Sequence, residues 1–277
     1  MIAYGCAIAS DQRFRECALP GIERARNPNA PVFEVRGSDC IFRAYNEILD
    51  RARADPRVEA LVLLHEDTEV HEDLLEAKLR VAFEDPDVAI VGAIGGVGVS
   101  DINWWVHDDG LGSAALRVRD PVELYGTPLI DTDLTVAPRL SGQADSVDGF
   151  FMALSSWAIH SLRFDQRLGP GFHGYDADLC FQARERGRKV VVAQLACTHH
   201  RQSNIPDPQI EAWKRAHVAF RRKWERRLRL PVPPPAPGEA PGFNPPGGAR
   251  RPGVSAVAPE PPSAGLSPAA RDRAGSP

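Results

Sequence analysis

The run Val58–Leu64 (VEALVLL) constrains the fold most. It is apolar almost throughout, without the polar alternation of a half-exposed strand. Such a run suits a strand buried on both faces of a mainly parallel sheet. Ile2–Ala9, Val88–Ile94 and Lys189–Leu195 read the same way, and Val32–Val35 is a shorter strand. Between them lie segments of helical period. From Cys40 to Arg53, Ile41, Ala44, Tyr45, Ile48, Leu49 and Ala52 fall on one face. Strands alternating with helices predict an α/β fold.

Other elements follow from the same reading. Ser10–Arg15 is a polar loop, and Phe14–Ala25 a helix interrupted by Pro20. Gly37-Ser38-Asp39 is a turn, and Thr68–Phe83 reads as a helix through Leu74, Leu75, Leu79 and Ala82. Val97 to about Pro138 is irregular and carries Trp104, Trp105 and His107. Adjacent tryptophans stack on sugar rings or plug a hydrophobic gap. A terminal helix over 210–230 has an apolar stripe (Ile210, Trp213, His217, Phe220, Trp224, Leu228). Its other face is basic: Arg221, Arg222, Lys223, Arg226, Arg227 and Arg229. That face is either simply solvated or a peripheral contact for a membrane surface or partner. Residues 231–277 hold 14 of the 25 prolines and almost no large apolar side chain. This composition predicts a disordered tail behind one domain over 1–230.

Two stretches carry candidate chemistry. Val58–Leu64 ends in His65-Glu66-Asp67, and the two-residue strand period puts His65 and Asp67 on one side. Ligands of open α/β sheets bind beyond the carboxyl ends of strands, so Ala9, Ser10 and Asp11 are placed for a nucleotide base. A surface turn is the plainer reading of His-Glu-Asp. The second stretch is Ser146–Arg186. Its apolar run Val147–Leu154 is broken by Asp148-Gly149. A Gly-rich turn, Gly169–Gly174, then delivers Tyr175-Asp176-Ala177-Asp178 onto a helix that stops near Gly187. The helix dipole favours ionised carboxylates there. Asp176 is then a general base or a ligand-binding acid, or no more than an N-cap.

The order of these motifs (strand, HED, strand, DGFF, YDAD, strand, HH) resembles a GT-A glycosyltransferase of the family 2 kind. HGYDADLC resembles the branch typified by a streptomycin-biosynthesis protein, in which His-x-Tyr-Asp stands where most relatives carry Glu-Asp. The resemblance implies a mixed, mostly parallel sheet flanked by helices and a nucleotide-sugar donor. It also implies a divalent metal, Mn2+ or Mg2+, and an acceptor hydroxyl or amine. Asp67 is then the chief metal ligand, in the last position of the family's Asp-x-Asp, with His65 replacing the first. His200 or His199 is a further ligand, His200 being preferred because Ser203 follows it. Donor contacts fall on Ala9, Ser10, Asp39, Asn46 and Glu66. Acceptor contacts fall on Asp148, Gly149, His173, Tyr175, Asp178, Trp104 and Trp105. Asp176 aligns with the acid that serves as general base in inverting transfer; as a helix-start carboxylate it is expected to stay ionised, at reduced basicity. Asp178 should point elsewhere and orient the acceptor or anchor the loop.

Rival readings are a nucleotidyltransferase, a metal-dependent hydrolase of nucleotide sugars or phosphoesters built on His65, Asp67, His199 and His200, and a non-catalytic binding protein on the same fold. The first lacks a Gly-rich, Lys-bearing phosphate loop near Ala9. A net charge of −4 argues against nucleic-acid binding. The first residues, MIAYGCAIAS, carry no basic n-region and are expected to be a buried strand, not a signal peptide, and no apolar run reaches membrane length. Five widely spaced cysteines without a CxxC pair predict reduced, buried thiols and a cytoplasmic location. A homo-oligomer is left open.

Overall fold

A computed structural model describes residues 1–102, 142–169, 171–201 and 207–228, together with the backbone of short strands between 110 and 135; side chains at 201–209 and 226–228 are not described. The chain divides into two units, Met1–Pro241 and Gly242–Pro277. The second lies wholly outside the described residues, as do Trp104, Trp105, His107 and all of 231–277.

In chain order the strands are β1 (Ile2–Ile8), β2 (Val32–Arg36), β3 (Ala60–His65), β4 (Thr68–Val70), β5 (Val88–Gly92) and β6 (Ile94–Gly96). Five short strands follow: β7 (Gly110–Gly112), β8 (Ala115–Val118), β9 (Val122–Leu124), β10 (Thr127–Leu129) and β11 (Leu134–Thr135). The last five are β12 (Gly142–Ala144), β13 (Ser146–Val147), β14 (Phe151–Ser155), β15 (Lys189–Val192) and β16 (Cys197–Arg201). The helices are α1 (Asp11–Arg13), α2 (Leu19–Ala25), α3 (Ile41–Ala54), α4 (Leu75–Ala82), α5 (Ser156–Ser161), α6 (Tyr175–Glu185) and α7 (Asp207–Leu228).

The main sheet has the order β12-β15-β5-β14-β3-β1-β2. Strands β2, β1, β3, β5 and β15 run one way; β14 and β12 run against them. The expected central strand is β3, buried at every residue from Ala60 to His65. It lies between β1 and β14, with Ala3 opposite Leu61 and Met152 opposite Leu63. Because β1 and β3 are parallel, both carboxyl ends reach the same edge of the sheet, and the chemistry collects there. α3 buries Ile41, Ala44, Tyr45, Ile48, Leu49 and Ala52, as its period predicts, and Phe42 besides.

Three expectations change. Thr68–Phe83 is not one helix: Thr68–Val70 pairs antiparallel with β16, His199 opposite Thr68, and α4 begins only at Leu75. Thr68 and Val70 are buried while Glu69 is not, a strand's alternation inside a segment with helical spacing further on. The segment after β1 is not a loop followed by an interrupted helix. Ser10 caps α1, and a π-helical turn, Phe14–Ala18, joins α1 to α2. Pro20 stands in the first turn of α2, where its missing N–H costs little. Upstream the ladder widens, and the Leu19 N–H donates to the Phe14 carbonyl. Finally, the stretch read as irregular after Val97 contains the short strands β7 to β11.

The terminal helix docks as its apolar stripe predicts. Phe220 and Trp224 are buried, with ring centroids 5.2 and 5.5 Å from Phe181 of α6. Lys223, expected on the solvated basic face, instead reaches Asp165 and Asp178 at 2.8 Å each. Arg221 and Arg222 remain exposed. All five cysteines are buried, and none is joined in a disulfide. Among the described residues no helix is long and apolar enough to cross a membrane.

Candidate active site

The site grows from the end of β3. His65 is the last residue of that strand, and Glu66-Asp67 turns the chain into β4. Antiparallel pairing of β4 with β16 carries His199 back over the turn. His199 Nε2 lies 3.3 Å from Asp67 Oδ1 and 3.4 Å from His65 Nδ1. One ligand atom from each of His65, Asp67 and His199 falls within 4.8 Å of the other two. Ligand bonds of about 2.0–2.2 Å from one ion nearly span that separation, so a small adjustment closes the set. Phe150 stacks on the His199 ring, centroids 4.7 Å apart and planes 15° from parallel, which fixes its direction.

His65 is oriented from its other nitrogen, since Nε2 is hydrogen-bonded to the Tyr175 hydroxyl. A neutral His65 that donates there leaves Nδ1 as a lone pair facing His199 and Asp67. Tyr175 opens α6 behind Gly174, a left-handed N-cap with φ of 78°. The hydroxyl passes so close to Gly149 that a Cβ there would overlap it. Gly149 is therefore needed for packing against Tyr175, a physical reason for glycine in the Asp-Gly pair.

Asp67 and Asp176 differ in electrostatics. Burial alone would raise the Asp67 carboxyl, but His199, His65 and Arg13 prevail and hold it down at about 2. Asp176 is pushed up to about 7, first by burial and then by the charge of Asp148. The N–H groups of Ala177 (2.8 Å) and Gly149 (3.0 Å) donate to its oxygens and pull weakly the other way. Asp176 is thus not the helix cap, a position Gly174 holds, and it is not kept strongly acidic as a helix-start carboxylate was expected to be. Tyr175 ties the two regions together. Burial raises its hydroxyl, as do Tyr45, Asp176, Asp148 and Asp67.

Several expected site residues have other work. His200 lies on the opposite face of β16: its Nε2 meets Glu69 at 2.8 Å, while its backbone N–H holds the Asp67 carbonyl. His199, not the preferred His200, joins the cluster. Asn46 is buried and spends its amide on one residue, donating to the Phe164 carbonyl at 2.8 Å and accepting from its N–H at 3.0 Å. Both polar atoms of that amide are engaged inside the fold and do not face a nucleotide. Asp178 is 1% exposed and accepts from Gln182, Lys223 and Trp224; it anchors α7 and does not line the site. Asp39 is exposed and paired with Arg43. Glu66 accepts from the N–H groups of Ala9 and Ser10 with one oxygen, tying the end of β1 to the end of β3. The Ser10 hydroxyl caps α1. His173 is half-buried in the loop before α6.

Three neighbours of the site were not anticipated. Phe150 and Phe172 read as strand and turn residues, yet Phe172 is 47% exposed with its ring 4.9 Å from His65. Arg13, read as part of a polar loop, lies 3.9 Å from both Glu66 and Asp67. Only the Gly-rich context of Phe172 hinted at its place; nothing in the polar run around Arg13 marked it out.

Residues 6–224 match the family described as glycosyltransferase like. The chain belongs to that family. The streptomycin biosynthesis protein StrF of Streptomyces griseus is 28% identical over 224 residues, 81% of this chain and 75% of that protein. Among solved structures, GalNAc-T7 with UDP, GalNAc and Mn2+ superposes with a TM-score of 0.53 at 8% identity, over 82% of this chain and 48% of that one. The chain thus spans about half of that structure, and the likeness is one of fold. A mannosyltransferase from Pyrobaculum calidifontis, solved with GDP-Man and Mn2+, has a TM-score of 0.49 at 12% identity. The fold is GT-A, and the chain is a family 2-like glycosyltransferase that is similar to StrF.

Proposed function

We propose that this glycosyltransferase is metal-dependent and inverting, moving a hexosyl group from a nucleotide-sugar donor to an acceptor hydroxyl or amine. The observation that carries the reading is the raised carboxyl of Asp176, set against Asp148 and joined through Tyr175 to the His65–Asp67–His199 cluster. A general base works best with a pKa near the operating pH, which burial and a second carboxylate supply here.

His65, Asp67 and His199 would hold the metal. Two imidazoles with one carboxylate favour Mn2+ over Mg2+, which prefers oxygen ligands. Bound there, a divalent ion neutralises the departing diphosphate. Ala9 and Ser10, at the end of β1, face the nucleotide. Asp176 takes the acceptor proton while the acceptor heteroatom attacks the anomeric carbon. Tyr175 holds His65, and Gly149 gives Tyr175 room. We take residues 1–230 as the catalytic unit, acting in the cytoplasm, with the basic face of α7 available to a peripheral partner.

A thermal-shift panel of UDP-, GDP- and dTDP-sugars with and without Mn2+ tests the donor half, because a ligand that binds the native state raises apparent stability. At least one donor should shift the melting temperature, and only with Mn2+. A metal cluster beside a base also suits a hydrolase. Nucleotide release that stays fast without any acceptor, across a broad acceptor screen, would favour hydrolysis and sink the transferase reading.

A further inference from the structure

Arg13 stands at the mouth of the cluster without a committed partner there. Its guanidinium lies 3.9 Å from Glu66 Oε1 and 3.9 Å from Asp67 Oδ2. That is ion-pair range but beyond hydrogen-bond length. Arg36, the cation at the neighbouring end of β2, is by contrast bound to Asp11 at 2.8 Å and also pairs with Glu34. The position of Arg13 is built. Glu66 pins the N–H groups of Ala9 and Ser10, Ser10 caps α1 over the Arg13 N–H, and the π-helical turn begins at Phe14. π-turns inside helices are frequent at functional sites. The Arg13 side chain is about a quarter exposed, so it is neither buried structure nor a free surface cation.

We propose that Arg13 is a two-position cation: without metal it shields Asp67 and Glu66, and with metal bound it turns its donors to the diphosphate of the donor substrate. The proposal rests on the reading of the site as metal- and nucleotide-dependent. Charge balance motivates it. One carboxylate and two neutral imidazoles leave a bound divalent ion with a single net positive charge, less than a departing nucleoside diphosphate carries. A second cation is needed beside the metal, and Arg presents planar donors matched to phosphate oxygens. The same cation next to an empty Asp67 competes with the metal for that carboxylate. A guanidinium serving only to hold α1 in place would have neither property.

The test compares Arg13→Gln and Arg13→Lys with the wild-type full chain, using Mn2+ alone by calorimetric titration and then UDP, GDP and dTDP in saturating Mn2+. Arg13→Gln should bind Mn2+ alone about three- to fivefold more tightly, because a competing charge has gone. It should bind the preferred nucleotide about tenfold more weakly in the presence of Mn2+. Arg13→Lys should keep the Mn2+ affinity of the wild type and lose part of the nucleotide affinity, since a point charge replaces a fork. Weaker Mn2+ binding by Arg13→Gln would overturn the proposal in favour of a structural role. So would unchanged nucleotide affinity. If none of the three nucleotides binds the wild-type protein with Mn2+, the proposed function falls and the diphosphate half with it. The Mn2+-only titration would still decide whether Arg13 competes for Asp67.

Discussion

The end of β3 and the start of α6 each present a carboxylate in a largely enclosed setting, and the two are tuned in opposite directions. Asp67 faces two imidazoles and a guanidinium and is held near 2; Asp176 faces Asp148 from the first turn of α6 and rises to about 7. The two aspartates differ little in chemistry and greatly in neighbours. Paired titratable groups driven apart by environment mark a division of labour. The low one stays anionic at any working pH and suits a cation. The high one exchanges a proton near neutrality and suits acid–base work. Tyr175, bonded to His65 and passing over Gly149, links the two regions.

The largest effect should come from breaking the high side. Asp176→Asn removes the proposed base without changing shape. Transfer should fall by about a hundredfold or more, while Mn2+ and nucleotide binding stay at wild-type levels in the thermal-shift panel. The wild-type rate should climb as pH rises through about 7 and then level off, because the base must be ionised. A variant that transfers sugar at close to the normal rate, or whose loss lies wholly in donor affinity, would end the assignment.

The low side separates two adjacent histidines. His199→Ala should weaken Mn2+ binding by about a hundredfold, as loss of one of three ligands would. His200→Ala should change it by about threefold at most, since that side chain faces Glu69 and acts on Asp67 only through its own backbone N–H. Equal losses in the two variants would mean the cluster is misassigned.

The same contrast shows what could be read from the chain. Buried strands such as Val58–Leu64 and the period of α3 announce themselves, because burial on both faces or on one stripe leaves its mark on local composition. The strand-end position of His65 and Asp67 and the helix-start position of Asp176 were equally legible. The direction of the Asp176 shift was not. It depends on Asp148, 28 positions away, and on burial that no local pattern records. His199 and His200 could not be told apart without the register of β16 on β4, which sets which of them turns toward Asp67. Asn46 and Asp178 looked like site residues because they match positions of the family pattern. Each is instead consumed by a distant partner, Phe164 for one and Trp224 with Lys223 for the other.

Asp178 gives a smaller, structural effect that sharpens the contrast with its neighbour two residues earlier. Its carboxylate is buried beneath α7 and accepts from Trp224 Nε1 at 2.8 Å. Asp178→Asn places an amide where Gln182 and Lys223 both donate, leaving donors opposed. Unfolding in urea should show a loss of about 1–3 kcal/mol, with kcat little changed in the fraction that remains folded. Full stability together with weakened acceptor binding would return Asp178 to the acceptor site.

The smallest effect is also the most direct check on the opposed tuning. A carboxyl whose folded pKa lies above its unfolded value binds a proton in the native state that the unfolded chain releases. Stability then falls as pH rises through the window between the two values. For Asp176 that window runs from the ordinary carboxylate value of 3.8 to about 7. Asp67, lowered to about 2, contributes stability that is complete above 3.8 and lost only as pH falls toward 2, so it is constant from pH 5 to 8. Over that range the difference in melting temperature between the wild type and Asp176→Asn isolates the high side. Measured without metal, the wild type should gain on the variant by a few degrees as pH drops from 8 to 5, because each unit of titration is worth at most about 1.4 kcal/mol. Asp148→Asn should shrink that slope, since removing the neighbouring charge takes away the second cause of the shift and leaves burial alone. A flat difference for Asp176→Asn would mean that the carboxylate titrates in its ordinary range, and the two regions would then share one electrostatic character.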